Sequence, residues 1–410
     1  MSQLNYNKSS RRQFIQATGA LATLASGASF AQTASEIKVG IATDLTGIAA
    51  AFTRSKVNGI EMAVADINAS GGLLGRKLTL HVRDSQLKPD LGTTHSRDLI
   101  TRENVDFLIG PNSSAVGLTV SAVSKQYKKP VIMTVPNTPR LPMELFHPHF
   151  FTLVPSGLME ARAMAEVIGR LGKKFAFIGG DYEASHQGLK FFKERLSVVN
   201  PGAEFVAEAW PKLGEPDYAS FITRINSARP DVLFSYLWGA DLVGFVKQAK
   251  PYGLFDRMKV GTLLFMDDLK ALGTDMPSNV YGQMRAPFFA LEGALAEDFI
   301  KRYRARFNGE YPADWAIMGY EAMLVYGQAI KIAGSVEPEA LIKAMEKGEF
   351  QLIRGKVTFR GIDHQGNVPS FVGRTVADAR YPFKILTDVL RVPAMSIWPT
   401  EQEVLASRKV

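Results

Sequence analysis

The sequence predicts an α/β protein of two lobes, each built on a doubly wound parallel sheet. Strand-like and helical patterns alternate from Ile37 onward, and a second series of the same kind begins at Phe175. A chain of 410 residues is long enough for two domains, and 46% hydrophobic residues can supply two buried cores.

The first series begins with a strand at residues 37–41, where apolar side chains alternate with small or polar ones. The apolar residues between 60 and 67 instead follow the spacing of a helix packed on a sheet. Later strands are predicted at 78–82, 105–109 and 131–133, and a helix at 115–127. Because helices separate the strands, we expect the sheet to be parallel.

The second series predicts strands at 175–178, 204–207, 232–236 and 260–263 and helices at 184–198, 218–227 and 241–252. The C-terminal third contains helical patterns at 291–307, 315–333 and 338–347, with short strands elsewhere. We expect this third to return to the first lobe and then cross back. The expected bounds are residues 36–152 plus 288–368 for lobe 1 and 153–287 plus 369–410 for lobe 2, with crossings near 150–156, 284–289 and 367–372.

The N-terminus has the features of an export signal. Arg11 and Arg12 precede Phe14 in a twin-arginine pattern, a mildly apolar stretch covers residues 17–25, and Ser29-Phe30-Ala31 suits a signal peptidase. The apolar stretch is far shorter than the roughly 20 residues of a membrane-spanning helix. We therefore predict a twin-arginine signal peptide at residues 1–31 and a periplasmic mature protein.

Composition excludes several classes of function. The chain contains no cysteine, which rules out disulfides, cysteine-ligated zinc, iron–sulfur clusters, thiol catalysis and a lipid anchor on cysteine. The net charge of +8 is spread along the chain, and no basic run with interleaved aromatic residues indicates a nucleic-acid partner.

Motifs for catalysis are also missing. The sequence has no Gly-x-Ser-x-Gly, no His-Glu-x-x-His and no Walker loop, and the glycine-rich residues 71–75 lie between a helix and a strand, as a turn does. His147 and His149 could form a metal pair, but no third ligand is near them in sequence. We therefore expect no metal, no cofactor and no enzyme activity.

A ligand site is expected where the parallel strands end. The loop at residues 110–114 places Ser113 and Ser114 before a helix, where free amide N–H groups and hydroxyls suit a carboxylate. An N-cap with a turn is the alternative interpretation. The loop at residues 134–138 follows the next strand and offers backbone groups and polar side chains.

In the second series the corresponding loops carry aromatic side chains and an acid. Aromatic residues could surround an organic ligand, and a carboxylate could hold an ammonium group. Core packing is the alternative for Trp238 and Phe265, and helix capping for Asp267 and Asp268. The candidates are Tyr182, Tyr236, Trp238, Phe265 and Asp267.

Several segments together carry a family resemblance. They are residues 37–41 followed by Leu45-Thr46-Gly47, residues 65–78 (ADINASGGLLGRKL) with Asp84 and Pro89, and residues 109–114, 247–254 and 319–322. Over nearly all of the sequence after the signal, the chain resembles the periplasmic solute-binding proteins of the branched-chain amino acid (Leu/Ile/Val-binding) ABC transporter family.

The resemblance implies a type I periplasmic-binding fold with two lobes, three crossings and a ligand in the cleft. It also implies the function: capture of a small carboxylate-bearing ligand by lobe closure and delivery to membrane permease subunits, by a protein that we expect to be a monomer. By position in the family, the carboxylate would contact Ser113, Ser114, Val135 and either Asn137 or Thr134, and the rest of the ligand would lie near Tyr182, Tyr236, Trp238 and Asp267.

The predicted site residues are compatible with more than one class of ligand. Relatives often have tyrosine where this chain has Phe52, and Phe52, Trp238 and Phe265 indicate a broad aromatic pocket. A branched-chain or other amino acid and an aromatic or aliphatic acid without an amino group are both compatible with it. The alternative functions are an exported enzyme and a ligand-sensing co-receptor with the same fold.

Overall fold

The computed structural model of the protein describes residues 36–47 and 49–409, and the predicted signal peptide lies outside them. In chain order the elements of the first half are β1 (Ile37–Thr43), α1 (Ala50–Ala69), β2 (Leu78–Asp84), α2 (Pro89–Thr101), β3 (Phe107–Ile109), α3 (Ser114–Tyr127), β4 (Val131–Met133), β5 (Phe150–Thr152), α4 (Gly157–Ile168), β6 (Lys174–Ile178), α5 (Glu183–Val199) and β7 (Glu204–Ala209). They continue with α6 (Ala219–Ala228), β8 (Val232–Ser235), α7 (Gly239–Ala249), α8 (Leu254–Arg257), β9 (Lys259–Leu263), α9 (Met266–Leu272), β10 (Tyr281–Met284), α10 (Ala294–Arg306), α11 (Asp314–Ala333), α12 (Pro338–Lys347), β11 (Phe350–Leu352), β12 (Gly355–Val357), β13 (Ser370–Val376), β14 (Ile385–Val392), α13 (Ala394–Ile397) and α14 (Glu401–Ser407).

The first sheet has the strand order β2-β1-β3-β4-β5, and every pair is parallel. Its strands β1, β3 and β4 are almost wholly buried, as expected for a parallel sheet with helices on both faces. The predicted parallel sheet is therefore confirmed. The segment expected to be only a crossing, residues 150–156, begins with the buried strand β5, and the chain leaves the sheet after Thr152.

The second sheet has the order β14-β13-β10-β9-β8-β6-β7. Strands β7, β6, β8, β9 and β10 are mutually parallel, whereas β13 and β14 extend the sheet in antiparallel pairing. The expectation of only short strands in the C-terminal third is wrong, because β13 and β14 have 7 and 8 residues. Residues 387–391 of the edge strand β14 are half-buried or exposed and include Asp388 and Arg391, so this segment lacks the regular alternation of apolar and polar residues that indicates a strand in the sequence.

Helix α11 packs against α1 beside the first sheet, although it follows β10 of the second sheet in the chain. The two helices touch at glycines: a Cβ at Gly59 would lie 2.0 Å from the Ala316 carbonyl oxygen, and one at Gly319 would lie 2.5 Å from the Lys56 carbonyl oxygen. The chain therefore passes from the second sheet to the first after Met284 and returns to the second at Ser370.

A buried ion pair connects the segments that leave the sheets. Arg354 and Glu321 are both fully buried, and Arg354 Nε donates to Glu321 Oε2 at 2.8 Å. The same guanidinium donates to the carbonyl of Leu153 at 2.8 Å and to that of Arg285 at 3.4 Å. Leu153 directly follows β5 and Arg285 directly follows β10, so one side chain joins both exit points.

The C-terminal helix α14 ends beside the loop that follows β4. Arg408 donates from Nε to the carbonyl of Met143 at 2.9 Å and from Nη2 to that of Ile362 at 2.7 Å. Its guanidinium also lies 4.5 Å from the ring centroid of Phe146. Across the part of the chain described, no helix is both long and apolar enough to span a bilayer.

Candidate ligand-binding site

A cavity of about 880 Å³ lies at the carboxyl ends of the parallel strands, where open α/β sheets bind ligands. Both sheets contribute to it. The lining segments are residues 112–115 after β3, 135–144 after β4, 182–191 around the start of α5, 236–238 after β8, 263–265 after β9 and Arg285 after β10, together with Phe52, Leu158, Trp315 and Ser407 from the helices.

The structure brings most of the predicted ligand-binding residues together around this cavity. The lining includes Phe52, Ser113, Ser114, Val135, Asn137, Tyr182, Tyr236, Trp238 and Phe265. Two predicted residues, Thr134 and Asp267, do not line it. Thr134 is fully buried, and its hydroxyl has no hydrogen-bond partner among the described residues.

Asp267 lies behind the aromatic lining, in the first turn of α9. Phe265 and Trp315 occupy the cavity side at this point, with ring centroids 5.1 Å apart. Burial raises the pKa of the Asp267 carboxyl above its ordinary value, which disfavours the charged form. The neighbouring Asp268 caps α9 by accepting from the Phe265 amide at 2.9 Å, as the capping alternative anticipated.

In the loop at residues 110–114, called the serine loop below, two of the amide groups expected to be free are already hydrogen-bonded. The amides of Asn112 and Ser113 donate to Asp44 Oδ2 at 3.2 and 3.0 Å, so the protein itself uses both. Ser113 is the N-cap of α3, because its hydroxyl accepts from the Val116 amide at 3.4 Å.

Two amide donors remain at the N-terminus of α3. Within the described residues, the N–H groups of Ser114 and Ala115 have no hydrogen-bond partner, and neither has the Ser114 hydroxyl. All three groups belong to residues that line the cavity. Unpaired N–H groups and the positive end of the helix dipole favour an anion at this point.

A buried lysine that the sequence analysis missed supports the serine loop from behind. Lys56 donates to the Gly110 carbonyl at 2.9 Å and to Thr43 Oγ1 at 3.1 Å. Burial lowers the pKa of Lys56 to about 7, against the raising effect of the Asp44 carboxylate. Its position on the apolar stripe of α1, four residues before Ile60, was the available signal for burial.

A second buried pair, also missed, lies at the cavity wall. Arg285 is 4% exposed and Glu160 is fully buried. Arg285 Nε and Nη2 donate to the two Glu160 oxygens at 2.6 and 3.2 Å, and Nη1 donates to the Val135 carbonyl at 3.1 Å. Asn137 Nδ2 also donates to Glu160 Oε2, at 2.7 Å. In the sequence, the only indication of this pair was Arg285 itself, a charged residue within the otherwise apolar crossing at residues 284–289.

Aromatic side chains form much of the remaining surface. Trp238 Nε1 donates to the Tyr182 hydroxyl at 2.9 Å, and the Phe52 ring meets Trp315 edge-on, with centroids 5.9 Å apart. Tyr236 is 4% exposed, and burial raises the pKa of its hydroxyl far above the ordinary range, so this hydroxyl stays protonated. These rings provide apolar contact area for an organic ligand.

The charged groups at the mouth are exposed. Arg140 pairs with Glu144, and Lys190 and Glu183 lie nearby on α5. Among the described residues, no group of three or more His, Asp or Glu side chains is arranged to hold a metal ion. His147 instead makes a 2.9 Å hydrogen bond with Ser121, away from the cavity.

Two doubly wound sheets whose strand-end loops share one cavity define the type I periplasmic-binding fold. Solved structures agree with this class. A solute-binding protein of an ABC transporter from Rhodopseudomonas palustris BisB5, in complex with 3,4-dihydroxy benzoic acid, superposes with a TM-score of 0.77 at 22% identity over 87% of this chain and 98% of its own. Another from R. palustris, in complex with benzoate, gives 0.76 at 19% identity over 87% and 97%.

Sequence comparison gives the family. The family model described as periplasmic binding protein matches residues 36–380, and the chain belongs to that family. It is 28% identical over 347 residues to the Leu/Ile/Val-binding protein BraC3 of Rhizobium johnstonii. The aligned region covers 82% of this chain and 91% of that relative. These relatives are binding proteins, and the resemblance found in the sequence is confirmed.

Proposed function

We propose that the protein is the extracytoplasmic substrate-binding component of an ABC transporter, which captures a small carboxylic acid and delivers it to the permease subunits. The cavity carries this proposal, because both sheets line it and it combines unpaired amide groups with aromatic rings. The family membership and the ABC-transporter relatives support the same function.

We propose further that the ligand is an aromatic or bulky aliphatic acid without an amino group. Among the described residues that line the cavity, the carboxylates are Glu144 and Glu183, and both are exposed at its mouth. The buried part of the lining offers an arginine instead. An ammonium group placed there would lose its water without gaining a counter-charge, which is strongly unfavourable.

A branched-chain amino acid is the second candidate, because the relative from Rhizobium johnstonii is a Leu/Ile/Val-binding protein. In that case the ammonium group would have to lie near the mouth, beside Glu183. The two candidates differ in whether the ligand carries an ammonium group beside its carboxylate.

Calorimetric titration of the exported protein with benzoate, phenylacetate and L-leucine separates them. We expect micromolar binding of at least one of the acids, which corresponds to about −8 kcal/mol, and none of L-leucine. Tighter binding of L-leucine would favour the second candidate, and no binding of any of the three would contradict the proposal. Recovery of the acid chemically unchanged tests the expectation that the protein is not an enzyme.

Ser114→Ala tests the carboxylate position. Because the Ser114 hydroxyl makes no hydrogen bond within the described chain, its loss should leave the free energy of unfolding nearly unchanged while weakening acid binding by about tenfold. The measurements are calorimetry and urea unfolding.

Ser113→Ala and Ser156→Ala form a matched pair for this test. Both serines are N-caps whose hydroxyls accept from an amide at 3.4 Å, so each variant should lose about 1 kcal/mol of stability. Ser113 lines the cavity and Ser156 does not. Equal ligand affinity in Ser113→Ala, Ser114→Ala and Ser156→Ala would show that the acid binds elsewhere.

We propose that capture proceeds by closure of two lobes, residues 36–152 plus 288–368 and residues 153–287 plus 369–410. A ligand that contacts both sheets favours the closed state by its extra affinity for it. Closure predicts a smaller radius of gyration in solution scattering with ligand, and an unchanged radius would contradict it.

Export and association complete the proposal. We propose that residues 1–31 direct twin-arginine export to the periplasm, which Arg11→Lys with Arg12→Lys should block.

We also propose that the mature protein is a monomer, which sedimentation velocity would contradict if it gave twice the mass of one chain.

A further inference from the structure

Arg285 has hydrogen-bond donors left over after its contacts within the protein. A guanidinium carries five N–H groups. Three of them are used in the described chain, two on Glu160 and one on the Val135 carbonyl. One N–H on each Nη therefore remains, on a residue that lines the cavity.

Two more polar groups come from neighbouring loops. The Tyr236 hydroxyl makes no hydrogen bond within the described residues, although the side chain is 4% exposed and lines the cavity. A Cβ at Gly157 would lie 3.4 Å from this hydroxyl and 3.7 Å from Asn137 Nδ2, so both side chains approach the start of α4. The side-chain oxygen Oδ1 of Asn137 likewise has no partner in the described chain. We call Asn137, Tyr236 and Arg285 the polar patch.

Glu160 makes the polar patch electrically neutral. Its two oxygens accept from Arg285 and Asn137. Because Glu160 is fully buried, a ligand in the cavity cannot replace it as the partner of Arg285. The patch adjoins the aromatic lining, because the Arg285 guanidinium lies 5.4 Å from the Phe265 ring centroid and 5.3 Å from that of Trp315.

The chemistry of the patch fits a neutral oxygen better than a second carboxylate. It offers N–H donors, a hydroxyl that both donates and accepts, and an amide oxygen that accepts, with no net charge. A hydroxyl group can satisfy both donors and acceptors at once. A ligand without such a group would leave buried polar atoms unpaired, which is how a binding site rejects an analogue that lacks one oxygen.

We propose that the polar patch is a second subsite, which binds a hydroxyl group of the ligand away from its carboxylate. The inference rests on the proposed function, in which the carboxylate occupies the N-terminus of α3. It narrows the ligand class to hydroxylated carboxylic acids, with the aromatic lining favouring phenolic acids.

The test uses calorimetric titration with three matched pairs of acids: benzoate and 4-hydroxybenzoate, phenylacetate and 4-hydroxyphenylacetate, and cinnamate and 4-hydroxycinnamate. We expect the wild-type protein to bind the hydroxylated member of at least one pair about tenfold more tightly. Tyr236→Phe removes only the hydroxyl of the patch. It should lose most of this preference, measured as the ratio of the two affinities within each pair.

Tyr218→Phe is the control, because Tyr218 is a buried tyrosine that does not line the cavity. It should keep the full preference. Parent acids that bind as tightly as their hydroxylated partners, or a full preference in Tyr236→Phe, would overturn the second subsite and leave the proposed function intact. Failure of all six acids to bind would overturn both.

Discussion

Charged side chains buried beside the cavity are satisfied by the protein itself. Glu160 accepts from Arg285 and Asn137, and Lys56 donates to the Gly110 carbonyl and to Thr43. A buried charge is tolerated only when such contacts replace its water. Because these contacts exist before a ligand arrives, the ligand adds contacts to a preformed surface and does not have to neutralise it.

His147 makes stability depend on pH. Burial lowers the pKa of His147 to about 4 from its ordinary value of 6.5, with His149 and Lys125 acting in the same direction. Between these values the unfolded chain binds more protons than the folded one. The His147 contribution to stability is therefore present above about pH 6.5 and is lost as pH falls toward 4, by at most about 1.4 kcal/mol per pH unit.

His147→Gln should reduce this dependence, because glutamine can keep the hydrogen bond to Ser121 without binding a proton. The measurement is the free energy of unfolding by urea at several values from pH 4 to pH 7. The same slope in the variant and in the wild type would contradict the assignment.

At the scale of single residues, the sequence predicted side chains whose role follows from local position and missed those whose role follows from a distant partner. Ser113 and Ser114 could be chosen because they end a strand and begin a helix. Arg285 and Glu160 are 125 positions apart in sequence, and no local pattern shows that they meet. Asp267 was expected in the site from its position in the family, and the sequence does not show that Phe265 and Trp315 line the cavity in its place.

Among the elements, the crossing of α1 and α11 depends on close backbone approach. The missing side chain of Gly319 leaves room for the Lys56 carbonyl, which a Cβ would meet at 2.5 Å. This contact holds the helix that carries Trp315 against the helix that carries Phe52, and both residues line the cavity. Helix packing thus sets the spacing of the aromatic lining.

Gly319→Ala should therefore reduce the free energy of unfolding by about 1–3 kcal/mol, because the helices must move apart. Gly327→Ala in the same helix is the matched control. A Cβ there would lie 3.6 Å from Ile67, an ordinary contact, so the higher helix propensity of alanine should raise stability by about 0.5–1 kcal/mol. Equal effects in thermal unfolding would contradict this account.

Elements with strong periodicity were predicted well, and elements at edges were not. The four strands of the first series and the long helices of the C-terminal third agree with the structure, because each has a clear apolar pattern. Strand β5 was taken for part of a crossing, and helix α4, which begins directly after that crossing, was not predicted. Strands β13 and β14 contain glycine and charged residues that weaken the strand pattern.

For the whole molecule, the Arg354–Glu321 pair connects the points where the chain leaves each sheet. Arg354→Met would leave Glu321 buried without a partner, which should destabilise the protein by about 3–5 kcal/mol. Adding Glu321→Leu should recover much of this loss, because the uncompensated charge is then gone. Urea unfolding of Arg354→Met and of the double variant measures both changes. A fall of less than about 1 kcal/mol in the free energy of unfolding of Arg354→Met would contradict the role of the pair.

The position of α14 has a practical consequence for measuring binding. Ser407 borders the cavity mouth, Arg408 anchors the segment to the Met143 carbonyl, and the chain contains no native cysteine. Ser407→Cys would therefore supply a single thiol for an environment-sensitive dye, attached at a fixed point next to the entrance. Such a labelled protein would report occupancy by fluorescence, with no need for a radioactive or chromogenic solute.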